Sequence, residues 1–262
     1  RLCDAHDAAL ILNTTAFSRA ALDEPGDHAL AGDRPVLQLV LSGANEESWR
    51  ADAHGLAARD IAMHIALPEV DGRIITRAVS FKGLERRSEL TQSELVQYQP
   101  QHDRIAFVVE LAQRWCRLRQ LPAADKRLAL VLANYPTREG RLGNGVGLDT
   151  PASVVGILDA LASHGYRVDD APADGDALMA RLTAGVTNDP ARQPGRPALQ
   201  SLALEDYLAF HARLPAASRA AIDARWAPPH PDPMLRQGRF PNAGIRCGQV
   251  FVGIQPARGY QL

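Results

Sequence analysis

At 262 residues, 46% hydrophobic and 23% charged, the chain has an ordinary globular composition and room for one large or two small domains. Lys+Arg 29 against Asp+Glu 30 give a formal net charge of -1, which argues against a nucleic-acid partner, because phosphate contacts need a basic face. Cys3, Cys116 and Cys247 are too dispersed for a cysteine zinc motif and suit a reducing, cytoplasmic setting, and no apolar run reaches the roughly 18 residues of a membrane span.

In chain order, residues 9–12 (ALIL) and 36–41 (VLQLVL) are short apolar runs closed by Asn13 and by Ser42-Gly43. Such runs suit strands buried on both faces, as in a parallel sheet. The Gly-, Pro- and Asp-rich residues 23–33 between them predict a loop. A helix is expected over 57–66, stopped by Pro68, and a strand over 74–81. Residues 85–98 are polar and charged. An amphipathic helix over 103–119 places Ile105, Val108, Ala112 and Trp115 on one face and ends before Pro122.

The clearest unit follows. Residues 128–133 (LALVLA) read as a strand, residues 134–149 as a loop with Gly140, Gly143, Gly145 and Gly147, and residues from Pro151 as a helix. Asp149 or Thr150 caps that helix, and Gly165 stops it before an extended start at 166–168. Further helices are expected over 175–184, 202–213 and 216–226, with a last strand over 249–254. The expected fold class is α/β, with mostly parallel sheets flanked by helices in two Rossmann-like or flavodoxin-like lobes. Residues 1–98 would form one lobe, 99–122 a bridging helix, and 123–262 a second lobe. The chain opens on Arg1 without a methionine and stops just after an apolar run, so both ends read as cuts through a longer polypeptide.

The glycine loop is the main candidate site. Glycines let backbone amides approach a ligand, and a helix start offers N–H groups and partial positive charge to a carboxylate or phosphate. The spacing matches neither the dinucleotide fingerprint nor a P-loop, so a nucleotide is not implied. Asn134, Tyr135 and Arg138 lie at the carboxyl end of the strand, where open α/β sheets place ligands. Arg138 and Arg141 suit bidentate pairing with carboxylates. Gly143, Asn144, Gly145, Gly147, Asp149 and Thr150 complete the set, and Arg258 follows the last strand. A glycine-rich structural turn with solvated arginines would look the same. Asp60 and His64 share a helix face, and Glu69 and Asp71 follow Pro68. His64, Glu69 and Asp71 are candidate catalytic or metal-handling groups, although a helix-end histidine beside ordinary surface acids is the plainer reading. Hydrolase signatures are absent.

Four stretches carry a resemblance: LNTTAF at 12–17, ARDIAMHIALPEVDGRIITRAVSFKG at 58–83, LALVLANYPTREGRLGNGVGLDTPASVVGILDALASHGY at 128–166, and GQVFVGIQPARGY at 248–260. In this order they resemble the large subunit of the cobaltochelatase and magnesium chelatase family. The resemblance implies an internal fragment of a subunit that binds a tetrapyrrole while metal is inserted, forming nitrogen–metal bonds. For the cobalt branch the tetrapyrrole is hydrogenobyrinic acid a,c-diamide, on the route to cobalamin. For the magnesium branch it is protoporphyrin IX; the 134–153 and 254–260 stretches read closer to the cobalt branch. Co²⁺ and ATP would be used in the reaction, with ATP on a separate AAA+ motor subunit and its companion, and no cofactor held by this chain. The family continues beyond the position of Tyr260 into a His-Gly-x-x-Glu segment, so the chelation centre here is expected to be incomplete. Without the resemblance, the same loop suits a stand-alone α/β module for a phosphate- or sugar-bearing ligand.

Overall fold

The computed structural model describes residues 7–19, 32, 34–134, 142–189, 195–227, 229 and 232–256. The chain divides into two compact units, Arg1–Leu121 and Pro122–Leu262.

The first unit is built on a four-stranded sheet in the order β1-β2-β3-β4, comprising β1 (Ile11–Asn13), β2 (Val36–Leu41), β3 (Ile74–Arg87) and β4 (Glu94–Pro100). β1, β2 and β3 are mutually parallel and β4 returns antiparallel. The mostly apolar character of residues 36–41 follows from β2 lying between two neighbours, with Leu37 and Val40 fully buried. Its one polar residue, Gln38, is buried too.

The connection from β2 to β3 carries α1 (Glu46–Ala51), α2 (Ala58–Ile61), a π-helical turn (Ala62–Ala66) and α3 (Leu67–Val70). Asn45 caps α1 by accepting from the Ser48 amide at 2.7 Å. Pro68 does not stop the helix, as the sequence suggests; the helix runs through it to Val70. A proline ring normally collides with the carbonyl four residues back. Here the amide of Leu67 reaches five residues back to the Ala62 carbonyl, and this widened turn admits the ring.

β3 continues well past Phe81, pairing with β4 out to Arg87 opposite Glu94. The polar stretch 85–98 is therefore largely the outer part of a hairpin. Leu84, Val96 and Tyr98 stay exposed on it. With little buried on either face, the ribbon has no apolar alternation to betray it. α4 (His102–Gln120) packs on β3, and the Arg104 Nε donates to the Ala78 carbonyl at 2.5 Å. The core gathers Val40, Ala78 and Phe81 with Trp49, Leu56 and Ile65; the Trp49 and Phe81 rings lie 5.0 Å apart. The helix expected as a bridge over 99–122 thus falls within the first unit.

The second unit contains β5 (Leu128–Leu132), α5 (Thr150–Ser163), α6 (Gly175–Ala184), β6 (Gln200–Ala203), α7 (Leu204–Ala212), α8 (Ala216–Trp226), β7 (Arg239–Asn242), β8 (Gly244–Cys247) and β9 (Val250–Ile254). One sheet has the order β5-β9-β8, with β5 and β9 parallel and β8 antiparallel to β9; β6 and β7 form a separate antiparallel pair. Leu158, Leu178 and Leu182 from the helices close over Cys247, Val250 and Val252 from the sheet. β5 lies at the edge and buries one face: Leu128 and Leu130 pack on the core while Ala129 and Val131 face outward.

Two local expectations are corrected. Residues 166–168 form no strand; the Arg167 carbonyl instead accepts from the Gln249 amide at 2.9 Å. Residues 202–203 belong to a strand rather than a helix start, because they pair across to Phe240 and Arg239. That partner lies some 37 residues away, so local periodicity could not reveal it. Among the described residues no helix is long and apolar enough to cross a membrane.

Candidate functional site

Each unit presents a structured loop at the carboxyl end of its first strand, where α/β sheets place ligands. In the second unit Asn134 follows β5 and is 4% exposed, with its Oδ1 buried and without a hydrogen-bond partner among the described residues. A buried, unmatched amide oxygen costs free energy, and such groups concentrate at functional positions. Leu142 is buried, and the Gly143 amide donates to the Ala133 carbonyl at 3.0 Å. Gly143 has φ +70 and Gly147 φ +75, a region that side-chain-bearing residues avoid. Asn144 and Gly147 are exposed, and Gly145 is half-buried against Thr150.

The start of α5 is not an open anion site. Asp149 accepts from the Ala152 amide at 3.0 Å through its own carboxylate and from the Ser153 amide at 2.9 Å through its carbonyl. The Thr150 amide donates to Leu148, and Pro151 has no N–H. The first-turn amides offered to a ligand carboxylate by the sequence are therefore already occupied, by a residue that also brings negative charge to the positive end of the helix. Tyr135, Arg138, Arg141 and Arg258 lie outside the described residues.

In the first unit the loop after β1 is held by buried polar groups. Arg73 and Asp71 form an ion pair at 2.6 Å with side chains only 2% and 0% exposed. Arg73 also donates to Gln38 Oε1 at 2.9 Å and to the Thr15 carbonyl at 3.2 Å. Gln38 accepts from Asn13 Nδ2 at 2.7 Å and donates to the Thr15 carbonyl at 3.1 Å. Asp71 accepts from the Arg19 amide at 3.0 Å on both oxygens. These extra bonds offset much of the cost of burying the pair, although the buried Arg73 Nε has no hydrogen-bond partner among the described residues.

The sequence candidates in this unit do not gather into one group. Asp71 is committed to Arg73, Glu69 is exposed, and Asp60 is buried where it accepts from Ser42 Oγ at 2.6 Å and from the Gly43 amide at 3.1 Å. Asp60 thus fixes the turn that ends β2. His64 sits half-buried in the π turn, with Nδ1 buried and unpartnered. Among the described residues no cluster of three or more His, Cys, Asp or Glu is arranged to hold a metal ion. Gln38, Arg73 and Phe17 were not singled out from sequence. A glutamine in the middle of VLQLVL was the available signal, since a polar residue in a doubly buried strand requires a partner.

Both units are α/β folds with sheets that are parallel in part, and comparison with known proteins gives the family. The model of the CobN/magnesium chelatase family matches residues 2–262, and the chain belongs to that family. It is 55% identical over 98% of its length to the aerobic cobaltochelatase subunit CobN of Pseudomonas aeruginosa, and 43% identical over 97% to that of Sinorhizobium sp. It is 26% identical over 86% of its length to the magnesium-chelatase subunit ChlH of Oryza sativa subsp. indica. The solved catalytic subunit of cobaltochelatase from Mycobacterium tuberculosis superposes with a TM-score of 0.77 at 34% identity over 96% of this chain. The chain spans 20% of the two CobN relatives and 22% of the solved one.

Proposed function

We propose that this chain is a segment of the tetrapyrrole-binding large subunit of an ATP-dependent cobaltochelatase. In this reading Co²⁺ is inserted into hydrogenobyrinic acid a,c-diamide in the cytoplasm, on the route to cobalamin. The observation that carries it is the 55% identity to a CobN subunit across nearly the whole chain, against 26% to a magnesium-chelatase subunit.

The site chemistry supports the reading in part. A tetrapyrrole with acidic and amide side groups needs cationic and hydrogen-bonding partners around its rim. Arg138, Arg141 and Arg258 supply the cations, and Asn134 the unmatched amide. Since the start of α5 is capped by Asp149, the arginines rather than the helix amides are assigned the carboxylates. Metal insertion releases inner-ring protons and so requires an acceptor. Of the three acid–base candidates, all in the first unit, His64 has a ring nitrogen with no hydrogen-bond partner among the described residues, whereas Asp71 is tied to Arg73. ATP hydrolysis is assigned to the AAA+ motor subunit and its companion, because the glycine loop lacks the Lys-Ser/Thr end of a P-loop.

The test is an absorbance titration of the full-length subunit with the diamide tetrapyrrole, followed by metal insertion with motor subunits, ATP and Co²⁺ or Mg²⁺. Saturable binding is expected, with Arg138→Ala weaker by about 1–3 kcal/mol, the size of a charge-assisted hydrogen bond. Cobalt turnover is expected from the assembled complex and none from residues 1–262 alone. Preferential use of protoporphyrin IX and Mg²⁺ would move the protein to the magnesium branch.

A further inference from the structure

Phe17 has φ +63 and is 53% exposed. A bulky residue in the left-handed region is an outlier that persists only where its surroundings force it, and such outliers concentrate at ligand-contacting positions. Here three anchors force it. The Thr15 carbonyl accepts from Arg73 and Gln38, the Arg19 amide donates to Asp71, and the Phe17 amide donates to the Met63 carbonyl at 2.9 Å.

The third anchor traces to Pro68. The π turn closes with the Leu67 amide reaching five residues back to the Ala62 carbonyl. Continued one residue, that register would give the Met63 carbonyl to residue 68, but a proline has no N–H. The carbonyl left over is the one that holds Phe17. A widened turn, a proline and a buried ion pair from more than 50 residues downstream thus converge on one residue. The Phe17 side chain is exposed and stacks on no other ring among the described residues. The rigidity serves the display of an aromatic face beside the carboxyl end of a parallel strand.

We infer that Phe17 is a preset contact for the flat macrocycle of the tetrapyrrole; this rests on the functional reading above. An exposed ring fixed in advance loses little freedom on stacking against a planar ligand, which is where such a contact gains its affinity. The experiment is titration of the full-length subunit and its Phe17→Gly, Phe17→Leu and Phe17→Tyr variants with metal-free hydrogenobyrinic acid a,c-diamide, with a thermal melt of each. Glycine adopts φ +63 freely, so Phe17→Gly should melt no lower than the wild type yet bind about tenfold more weakly, the effect of one aromatic stacking contact. Phe17→Leu, which keeps the backbone restriction and loses the ring, should also bind weakly, while Phe17→Tyr should bind like the wild type. Wild-type affinity in both Gly and Leu variants overturns the assignment, as does a loss of binding matched by an equal loss of melting temperature in all three. Failure of the wild type itself to bind the tetrapyrrole overturns the functional reading instead, before any variant is compared.

Discussion

The loop after β1 and the loop after β5 occupy equivalent places on their sheets and are held by opposite means. The first is fixed by side chains brought from far along the chain: Gln38 from β2, and Asp71 and Arg73 from the lead into β3. In the second, the described residues 142–149 are fixed locally, by glycines at positive φ and an aspartate that caps the helix immediately following. A loop held by buried charges has few partial failures, because removing one group strands another without solvent. A loop held by backbone geometry loses its restraints in smaller steps.

The largest expected effect is at Arg73. Arg73→Ala removes the guanidinium that neutralises the buried Asp71 carboxylate, and should cost about 3–5 kcal/mol. Urea unfolding measures it, with amide exchange over residues 13–19 reporting release of the loop; a loss below about 1 kcal/mol would mean water replaces the guanidinium and would erase the contrast between the two loops. Next is Asp60→Ala, which removes the bonds from Ser42 and Gly43 and should cost about 2 kcal/mol. Exchange at the Gly43 amide should accelerate more than exchange at any amide of the second unit.

The second loop should respond less. Gly143→Ala imposes φ +70 on a residue with a Cβ, at about 1–2 kcal/mol, and Asp149→Ala removes an exposed cap at about 1 kcal/mol. If Asp149→Ala proved as damaging as Arg73→Ala, the distinction between local and long-range anchoring would be wrong. The smallest effect concerns Cys247. Burial pushes its thiol above the ordinary range, so it should resist alkylation near neutral pH until the second unit opens, whereas half-exposed Cys116 reacts in the native state. Because the folded pKa is raised, its contribution is complete below the ordinary thiol pKa and declines as pH rises through the thiol's folded value. Site-resolved mass spectrometry after a short alkylation pulse tests the order.

The sequence alone determined the elements whose signals are local. The apolar run of β2, the helix over 175–184 that coincides with α6, the helix over 216–226 that coincides with α8, and the Asp149-Thr150-Pro151 start of α5 were all legible, because capping, helical spacing and doubly buried strands write themselves into adjacent residues. The family was legible too, from four ordered stretches along the chain. Tertiary structure decided the rest. The pairing of Gln200–Ala203 with Arg239–Asn242, the passage of a helix through Pro68, the occupation of the α5 amides and the buried Asn13–Gln38–Arg73–Asp71 network each depend on which groups meet in space. A buried charge or a strained φ is stable only through partners remote in sequence, and no local pattern records where those partners lie.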